Sequence, residues 1–456
     1  MKMVVMRAMW SVLFVGGTSF GANGNPQFAG RWEVTTSYPG GSFVAGLDLT
    51  TDAGRYVGRS GYLVPDGIFY KYSGSLEKGI LHLLVLAPDD KTPIGDLVLT
   101  ARADTLSGKG SIREVPVTLS GRRPLQRPAG GPRVIDFVPK VYYHTISGAN
   151  PPALHIFPGD TVRTTTVDAL GQGQNAAQRA LPGNRQTGPF YIEGAMIGDT
   201  IAVHFRKIRP NRGTAFQYRA TLEGVVVPPG YQQEPSENWS SGWKLNRERG
   251  TATPVDPSEK LKGLEIKLVP MLGTVGVAPY WDQAFAASDL GPYGGNLDYN
   301  QIREGTTLYL PVYQAGALLS MGDGHAVQGD GEITGQGLET SMDVEFTVDL
   351  IRDQLLDQPW AENAEYIMVS GIGGSLSDAL QTATAGLSNW LKSYYRLNAS
   401  ETATLLANSI QYDIAEVGDP HVHVVAKIRK EMLSQIPKPE GPKTLFCQAA
   451  WGCMLN

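Results

Sequence analysis

Pro158-Gly159-Asp160-Thr161-Val162 and Ile197-Gly198-Asp199-Thr200-Ile201 are two versions of one device. In each, a Gly-Asp turn launches a run of alternating apolar and polar side chains, the first through Val167 and the second through Ile208. Alternation of period 2 puts the apolar residues on one face of a strand. The Asp at its head satisfies local backbone donors, so Asp160 and Asp199 read as turn residues. Glu304-Gly305-Thr306-Thr307-Leu308 repeats the arrangement ahead of Tyr309 to Val312. Turn-plus-strand used this often predicts a β-sandwich-like body.

Upstream, short apolar or alternating runs at 31–36, 43–49, 68–72, 80–87, 96–101 and 111–119 are separated by Gly, Pro and Asp turns. They predict a small antiparallel β domain over 28–120, with no cluster of acids, histidines or hydroxyl-base pairs, hence an accessory module. Residues 121–133, rich in Pro, Gly and Arg, cannot hold regular structure and read as a linker. Helices come late. Leu376, Ala379, Leu380, Ala383, Leu387, Trp390, Leu391 and Tyr394 recur at helical spacing, with Ser375 or Ser377 as N-cap. Asn398 with Glu401 forms a capping-box pattern for a second helix, and a strand follows from His421 to Ile428. The fold class is therefore mainly β with α/β elements (α+β), a main body at 134–436 and a tail at 437–456.

Hydrophobic residues are 42% and charged residues 18%, a packed globular composition. The formal charge of -5, with no run of one sign, leaves no footprint for nucleic acid. Lys2 and Arg7, an apolar stretch from Ala8 to Val15 and small residues ending Ser19-Phe20-Gly21 have the layout of a secretory signal over 1–21. We therefore expect export to the periplasm or exterior, and no membrane span in the mature chain. Two cysteines, Cys447 and Cys453, read as a small disulfide loop in the tail, which leaves no cysteine for a nucleophilic role.

The densest chemistry lies in Met321-Gly322-Asp323-Gly324-His325-Ala326-Val327-Gln328-Gly329-Asp330-Gly331-Glu332, with Glu339 seven residues on. Four acids and a histidine share a segment whose glycines rule out a helix and suit tight turns. Asp323 and His325 fall on the same side of an extended chain. Imidazole with carboxylates suits zinc or a similar divalent ion, whereas carboxylates and carbonyls alone suit calcium, so zinc is expected here with calcium as a second or alternative ion. The plain competitor is an acidic turn with a hydrogen-bonded histidine.

Gly322-Asp323-Gly324-His325 through Gly331-Glu332, with Glu339, resembles the signature of the acetamidase/formamidase family. Gly294-Gly295-Asn296-Leu297-Asp298, Leu310-Pro311-Val312 with Gly316-Ala317-Leu318, and His144 with the Pro158 turn and Val167-Asp168-Ala169 resemble its other segments. The similarity covers about 134–436 and leaves the N-terminal β domain as an addition. It implies hydrolysis of the carbon-nitrogen bond of a formamide- or acetamide-like amide, or a lactam, with a divalent metal in a fold that commonly forms a homodimer. On this reading Asp168, Asp323 and His325 hold the metal, with His144 and Glu339 in reserve. Glu332 is the base that takes a proton from a metal-activated water, while Asn296 and Asp298 position the substrate or support the ligands. Asp168 also reads as a turn cap, His144 as a core histidine, and Glu332 and Glu339 as interchangeable.

A rival class is a calcium-binding β-sandwich adhesion or carbohydrate-binding protein, which has no need of His325 among the acids. A metal hydrolase of esters or lactones is a third reading. Gly373-Gly374-Ser375 invites comparison with serine amidases, yet no suitable lysine is near and Ser375 stands where a helix cap is needed. His421 and His423 read as a solvent-facing strand edge before a second metal site, and Trp239, Trp243 and Trp281 as pocket or loop aromatics.

Overall fold

The computed structural model describes residues 27–61, 69–87, 89, 91–222, 225, 240–281 and 283–438. The signal-like segment, Trp239 and both cysteines lie outside the described residues. No helix among the described residues is long and apolar enough to cross a membrane.

Eight antiparallel strands form the N-terminal unit: β1 (Gly30–Tyr38), β2 (Gly41–Asp52), β3 (Arg55–Gly61), β4 (Phe69–Glu77), β5 (Ile80–Leu86), β6 (Pro93–Arg102), β7 (Thr105–Ile112) and β8 (Val115–Arg122). Each pairs with the next, and β8 returns to β1 with Leu119 opposite Thr36, so the sheet is a closed barrel. Trp32, Leu47, Leu49, Leu81, Leu83, Leu97 and Leu99 fill its interior. Among Leu47, Tyr72, Leu97 and Leu119 lies a cavity of about 20 Å³, room for roughly one water. The sequence run at 111–119 is two strands, because the chain reverses at Arg113-Glu114 with φ of 50° and 66°. A tight hairpin of this kind usually advertises itself with Gly or Asn. Here neither is present, and the turn is invisible in the sequence.

Arg31 on β1 ties the barrel to the body. Its guanidinium reaches Asp48 on β2 at 2.9 Å and Asp199 at 2.5 Å, with both Arg31 and Asp199 buried. Asp199 also accepts Met196 N at 2.9 Å, as expected of a turn residue. Asp160 likewise accepts Phe157 N at 3.1 Å and holds Arg127 and Arg133 of the linker.

The body contains a nine-stranded and a six-stranded sheet. In order, the first runs Gln411–Glu416, Val422–Arg429, Tyr366–Gly373, Trp360–Glu362, Thr307–Pro311, Thr200–Pro210, Met342–Ile351, Thr161–Thr165, Val134–Asp136. All three strands led by a turn motif lie in it. The second runs Leu154–Ile156, Gln186–Ile192, Leu319–His325, Met271–Gly276, Gly294–Asn296, Leu290–Gly291. Ile201, Val203, Phe205, Leu310 and Phe346 from the first meet Phe190, Ile192, Leu272, Val275 and Met321 from the second in one hydrophobic core. The protein is mainly β.

Helix α1 (Leu376–Tyr395) starts at Ser375, whose side chain accepts Asp378 N, and α2 (Ala399–Ser409) starts at Asn398 with the Glu401 capping box formed. Ala383, Leu387 and Leu391 of α1 pack on Val369, Ala426 and Ile428 of the nine-stranded sheet. The acidic glycine-rich segment is not the loop its glycines suggest. Leu319–His325 is a fully buried strand. A Cβ at 324 would collide with Met342, and one at 322 would press on Gln186 at 2.7 Å, so these glycines serve close packing rather than turns.

Candidate functional site

The strand Leu319–His325 lies between Gln186–Ile192 and Met271–Gly276, with Gly322 opposite both Gln186 and Thr274. This register sets Asp323 across from Gly273. A side chain at 273 would collide with Asp298 Oδ1 and, across the ladder, with Asp323 Oδ2. The missing Cβ is what leaves two carboxylates room to face one point.

Around that point lie Asp298, Asp323, His325, Glu332, Glu339 and Glu416, all buried. His325 Nε2 is 3.5 Å from Asp323 Oδ1, 3.8 Å from Glu332 Oε1 and 2.9 Å from Glu339 Oε1, while its Nδ1 is 3.8 Å from Asp298 Oδ1. Three overlapping groups have their ligand atoms within 4.8 Å of one another: Asp298 with Asp323 and His325, His325 with Glu332 and Glu339, and Asp298 with Glu332 and Glu416. Asp298, Asp323 and Glu332 have φ of 40°, 55° and 44°. Left-handed backbone at a residue other than Gly costs of order 1 kcal/mol or more and gathers at functional sites.

The imidazole is held in one tautomer. Gln328 Nε2 donates to Asp298 O at 2.6 Å, which turns Gln328 Oε1 toward His325 Nδ1 at 2.7 Å. An oxygen there requires the proton on Nδ1, which turns Nε2 into the cluster and, in the neutral ring, makes Nε2 the ligating nitrogen, the arrangement of a metal-binding histidine. His325 Nε2, Asp298 Oδ1, Glu339 Oε2 and Glu416 Oε2 are buried without a hydrogen-bond partner. Glu339 Oε1 is the nearest carboxylate oxygen to Nε2, at 2.9 Å. Unspent buried donors and acceptors of this kind are rare unless something occupies the space between them.

The electrostatics agree. Burial, then the neighbouring Asp323, pushes Asp298 well above the carboxylate range, and burial with Asp298 does the same to Glu332. Burial raises Glu339 to about 7 and lifts Glu416 as well. Burial works against a charged His325, but Glu339 and Asp323 overcome it and carry its pKa well above the usual value. Without a cation the cluster must hold protons to limit its own repulsion. A divalent ion removes that need.

Other expected residues sit elsewhere. Asp168 is not in the cluster: its Oδ1 accepts Leu170 N at 3.0 Å and Gln172 N at 2.9 Å, and its Oδ2 accepts Arg212 Nη2 in a buried ion pair. His144 is exposed, with Nδ1 2.9 Å from Arg185 Nη1. Asn296 donates to Asp298 and, at 2.9 Å, to Asp419, while Asp298 itself faces the cluster. His423 is not at a solvent edge; it is fully buried, with Nδ1 2.6 Å from Leu297 O and Nε2 2.9 Å from Ser370 Oγ, and burial lowers it to about 4. His421 pairs with Asp289 at 2.8 Å, so the two histidines do not converge. Trp243 is buried in a small core, whereas Trp281 is 51% exposed. Glu416, Gln328 and Arg212 escaped the sequence reading. The acidic turn Glu416-Val417-Gly418-Asp419-Pro420 just before His421 was the one available signal.

The model of the Acetamidase/Formamidase family matches residues 291–390, a span holding Asp298, Asp323, His325, Glu332 and Glu339. The structure of acetamidase from Yersinia enterocolitica aligns over 67% of this chain and 94% of its own, at 30% identity and a TM-score of 0.59. This chain belongs to the acetamidase/formamidase family. Among curated relatives, the formamidase of Methylophilus methylotrophus is 45% identical over 62 residues, 13% of this chain and 15% of that protein. The acetamidase of Mycolicibacterium smegmatis is 31% identical over 138 residues, 28% of this chain and 33% of that protein. The chain thus matches a third or less of either curated relative's length. The family model's match begins well beyond the barrel and stops short of Glu416.

Proposed function

We propose that this member of the acetamidase/formamidase family hydrolyses the carbon-nitrogen bond of small amides such as formamide or acetamide at the cluster around His325. The observation that carries the reading is the ring of buried carboxylates about an imidazole whose Nε2 faces into their midst. Asp323, His325 and Glu339, with Asp298 beside them, would hold the divalent ion, and a nitrogen donor among oxygens suits zinc. Such an ion, when bound, supplies an acidified water and polarises the amide carbonyl. The chain does the rest. Gln328 keeps His325 in its tautomer, Asn296 anchors Asp298, and Gly273 keeps the space clear. Glu332 takes the proton of the attacking water as the carbon-oxygen bond forms, then delivers it to the amide nitrogen as the carbon-nitrogen bond breaks, releasing ammonia and the carboxylate. Its burial beside Asp298, which favours the protonated form, supports that role. A calcium-binding adhesion protein is not favoured, since this cluster is shut inside the fold with a histidine at its centre. The basic, then apolar, then small-residue start of the chain supports export.

The test is ammonia release from formamide and acetamide by the purified chain, with metal content measured on the same samples. His325→Ala should lose both metal and activity. Glu332→Gln should keep metal and lose about 10²–10⁴-fold in kcat. Wild-type protein that carries metal yet releases no ammonia from any short amide would overturn the activity, and His325→Ala with full metal content would overturn the site.

A further inference from the structure

We infer that Leu222, with Ile333 and Val417 beside it, forms the acyl wall of the substrate entrance and limits the protein to amides with a short aliphatic acyl group. The inference rests on the amide-hydrolysis reading above and deepens it, by naming the residue that sets the size of that group.

The cluster comes nearest to solvent at Asp323 and Glu332, which are 5% and 6% exposed, whereas His325, Asp298 and Glu416 are at 0%. Both lie on the Nε2 side of His325. Glu332 sits in a turn closed by Gly335 N, which donates to Glu332 O at 2.7 Å, and Glu416 heads a second turn, its Oε1 accepting Asp419 N at 2.8 Å. Val417 N donates to Gly331 O at 3.2 Å and sets the two turns side by side. Leu222 lies across both. Its N–H donates to Ile333 O at 2.9 Å, and a Cβ at 335 would stand 3.2 Å from its Cδ1. A Cβ at 418 would collide with the same Cδ1 while standing 3.1 Å from Glu416 Oε1. The two bare glycines therefore let the methyl groups of Leu222 come down between the turns, close to the Glu416 carboxylate.

The surroundings of Glu332 are aliphatic. A Cβ at 331 would meet Ile333 Cγ2 at 3.5 Å, Val417 Cγ2 at 3.6 Å and Ile414 Cγ2 at 3.8 Å. Ile333 is 48% and Ile414 43% exposed, so apolar surface stays in water beside the carboxylate that solvent reaches. One exposed aliphatic side chain needs no explanation, but a group of them next to convergent buried carboxylates has the make-up of a small-molecule pocket. A small amide is divided in the same way. Its carboxamide enters toward the carboxylates, and its acyl chain stays against Leu222, Ile333 and Val417. Leu222 reaches deepest, beside Glu416, so its methyl groups set how much chain can follow the carbonyl inward.

The purified full chain and its Leu222→Ala, Leu222→Phe and Ile333→Ala variants are compared by ammonia release from formamide, acetamide, propionamide and butyramide. The quantity read is the ratio of kcat/KM for butyramide to that for formamide, whose acyl group has no carbon beyond the carbonyl. One methylene against an apolar wall is worth about 10–200-fold, so Leu222→Ala should raise the ratio at least about tenfold. Ile333→Ala should raise it by less, and Leu222→Phe should lower it. A leucine that only braces the two turns would change all four amides together and leave the ratio where it was. Circular dichroism and metal content establish that each variant is intact, and Ile333→Ala, at a half-exposed position, carries the test if Leu222→Ala does not fold. Ratios within about twofold of wild type in the folded variants overturn the acyl wall and leave amide hydrolysis standing. A wild-type chain that releases ammonia from none of the four amides overturns both.

Discussion

Asp168→Asn separates two roles for one carboxylate. The change preserves shape, and the new Oδ1 still accepts from the backbone N–H groups of Leu170 and Gln172. What it removes is the negative charge facing Arg212, whose side chain is 4% exposed and keeps only carbonyl partners at Thr214, Gln172 and Gly173. Breaking a buried pair from one side costs about 3–5 kcal/mol. At about 2 °C per kcal/mol for a body of this size, Tm should fall by roughly 6–10 °C. Metal content should not change, because Asp168 lies outside the ligand groups. Arg212→Leu should cost a similar amount, and the double variant should recover a large part of it, since replacing both partners removes the stranded charge. Calorimetric melts and metal analysis of the same preparations decide the matter. An Asp168→Asn protein that melts within a degree of wild type but has lost its metal would refute this reasoning and restore Asp168 to the ligand set.

Three further outcomes are expected. Gly273→Ala drives a methyl against Asp298 Oδ1 and Asp323 Oδ2, and a displacement on the order of 1 Å in a catalytic site costs about 10²-fold; metal affinity and kcat/KM should both drop with little change in Tm, and wild-type affinity in this variant would contradict the geometry. His423 takes up a proton only near pH 4 in the fold but near 6.5 when unfolded, so between those values the unfolded chain binds more protons and stability falls as pH falls. The loss is at most about 3 kcal/mol, read as the difference between wild type and the non-titrating His423→Gln in urea melts at pH 7, 5.5 and 4, which cancels the opposing effect of the raised carboxylates. Glu114→Gly relieves a φ of 66° and should stabilise the fold by about 1 kcal/mol, read as a slightly higher Tm; a lower Tm would argue against the left-handed turn.

The legible parts of the fold were those written in local pattern. The Gly-Asp turns, the α1 spacing and the Asn398–Glu401 capping box each report on residues a few positions apart, and each formed where its pattern placed it. The hairpin at Arg113-Glu114 did not show, because its residues carry no turn preference and the barrel's closure holds them there. Gly322 and Gly324 misled in the opposite sense, since glycine marks close approach as well as turns. At the site, Asp323, His325, Glu332 and Glu339 were adjacent in sequence and could be read together. Glu416 is far along the chain and arrives only through pairing of Gln411–Glu416 with Val422–Arg429. Asp168 and Arg212 are 44 positions apart, so nothing local announced that one is spent on the other.

The cluster draws Asp323 and His325 from the six-stranded sheet and Glu416 from the margin of the nine-stranded one. Its inner oxygens therefore straddle a joint between two layers, and the layers cannot slide past each other without changing the spacing of those oxygens. A filled centre acts as a rivet through the joint. Loading should slow amide exchange along Leu319–His325 and Gln411–Glu416 in step, while strands of the barrel, fastened separately through Arg31, keep their own rate.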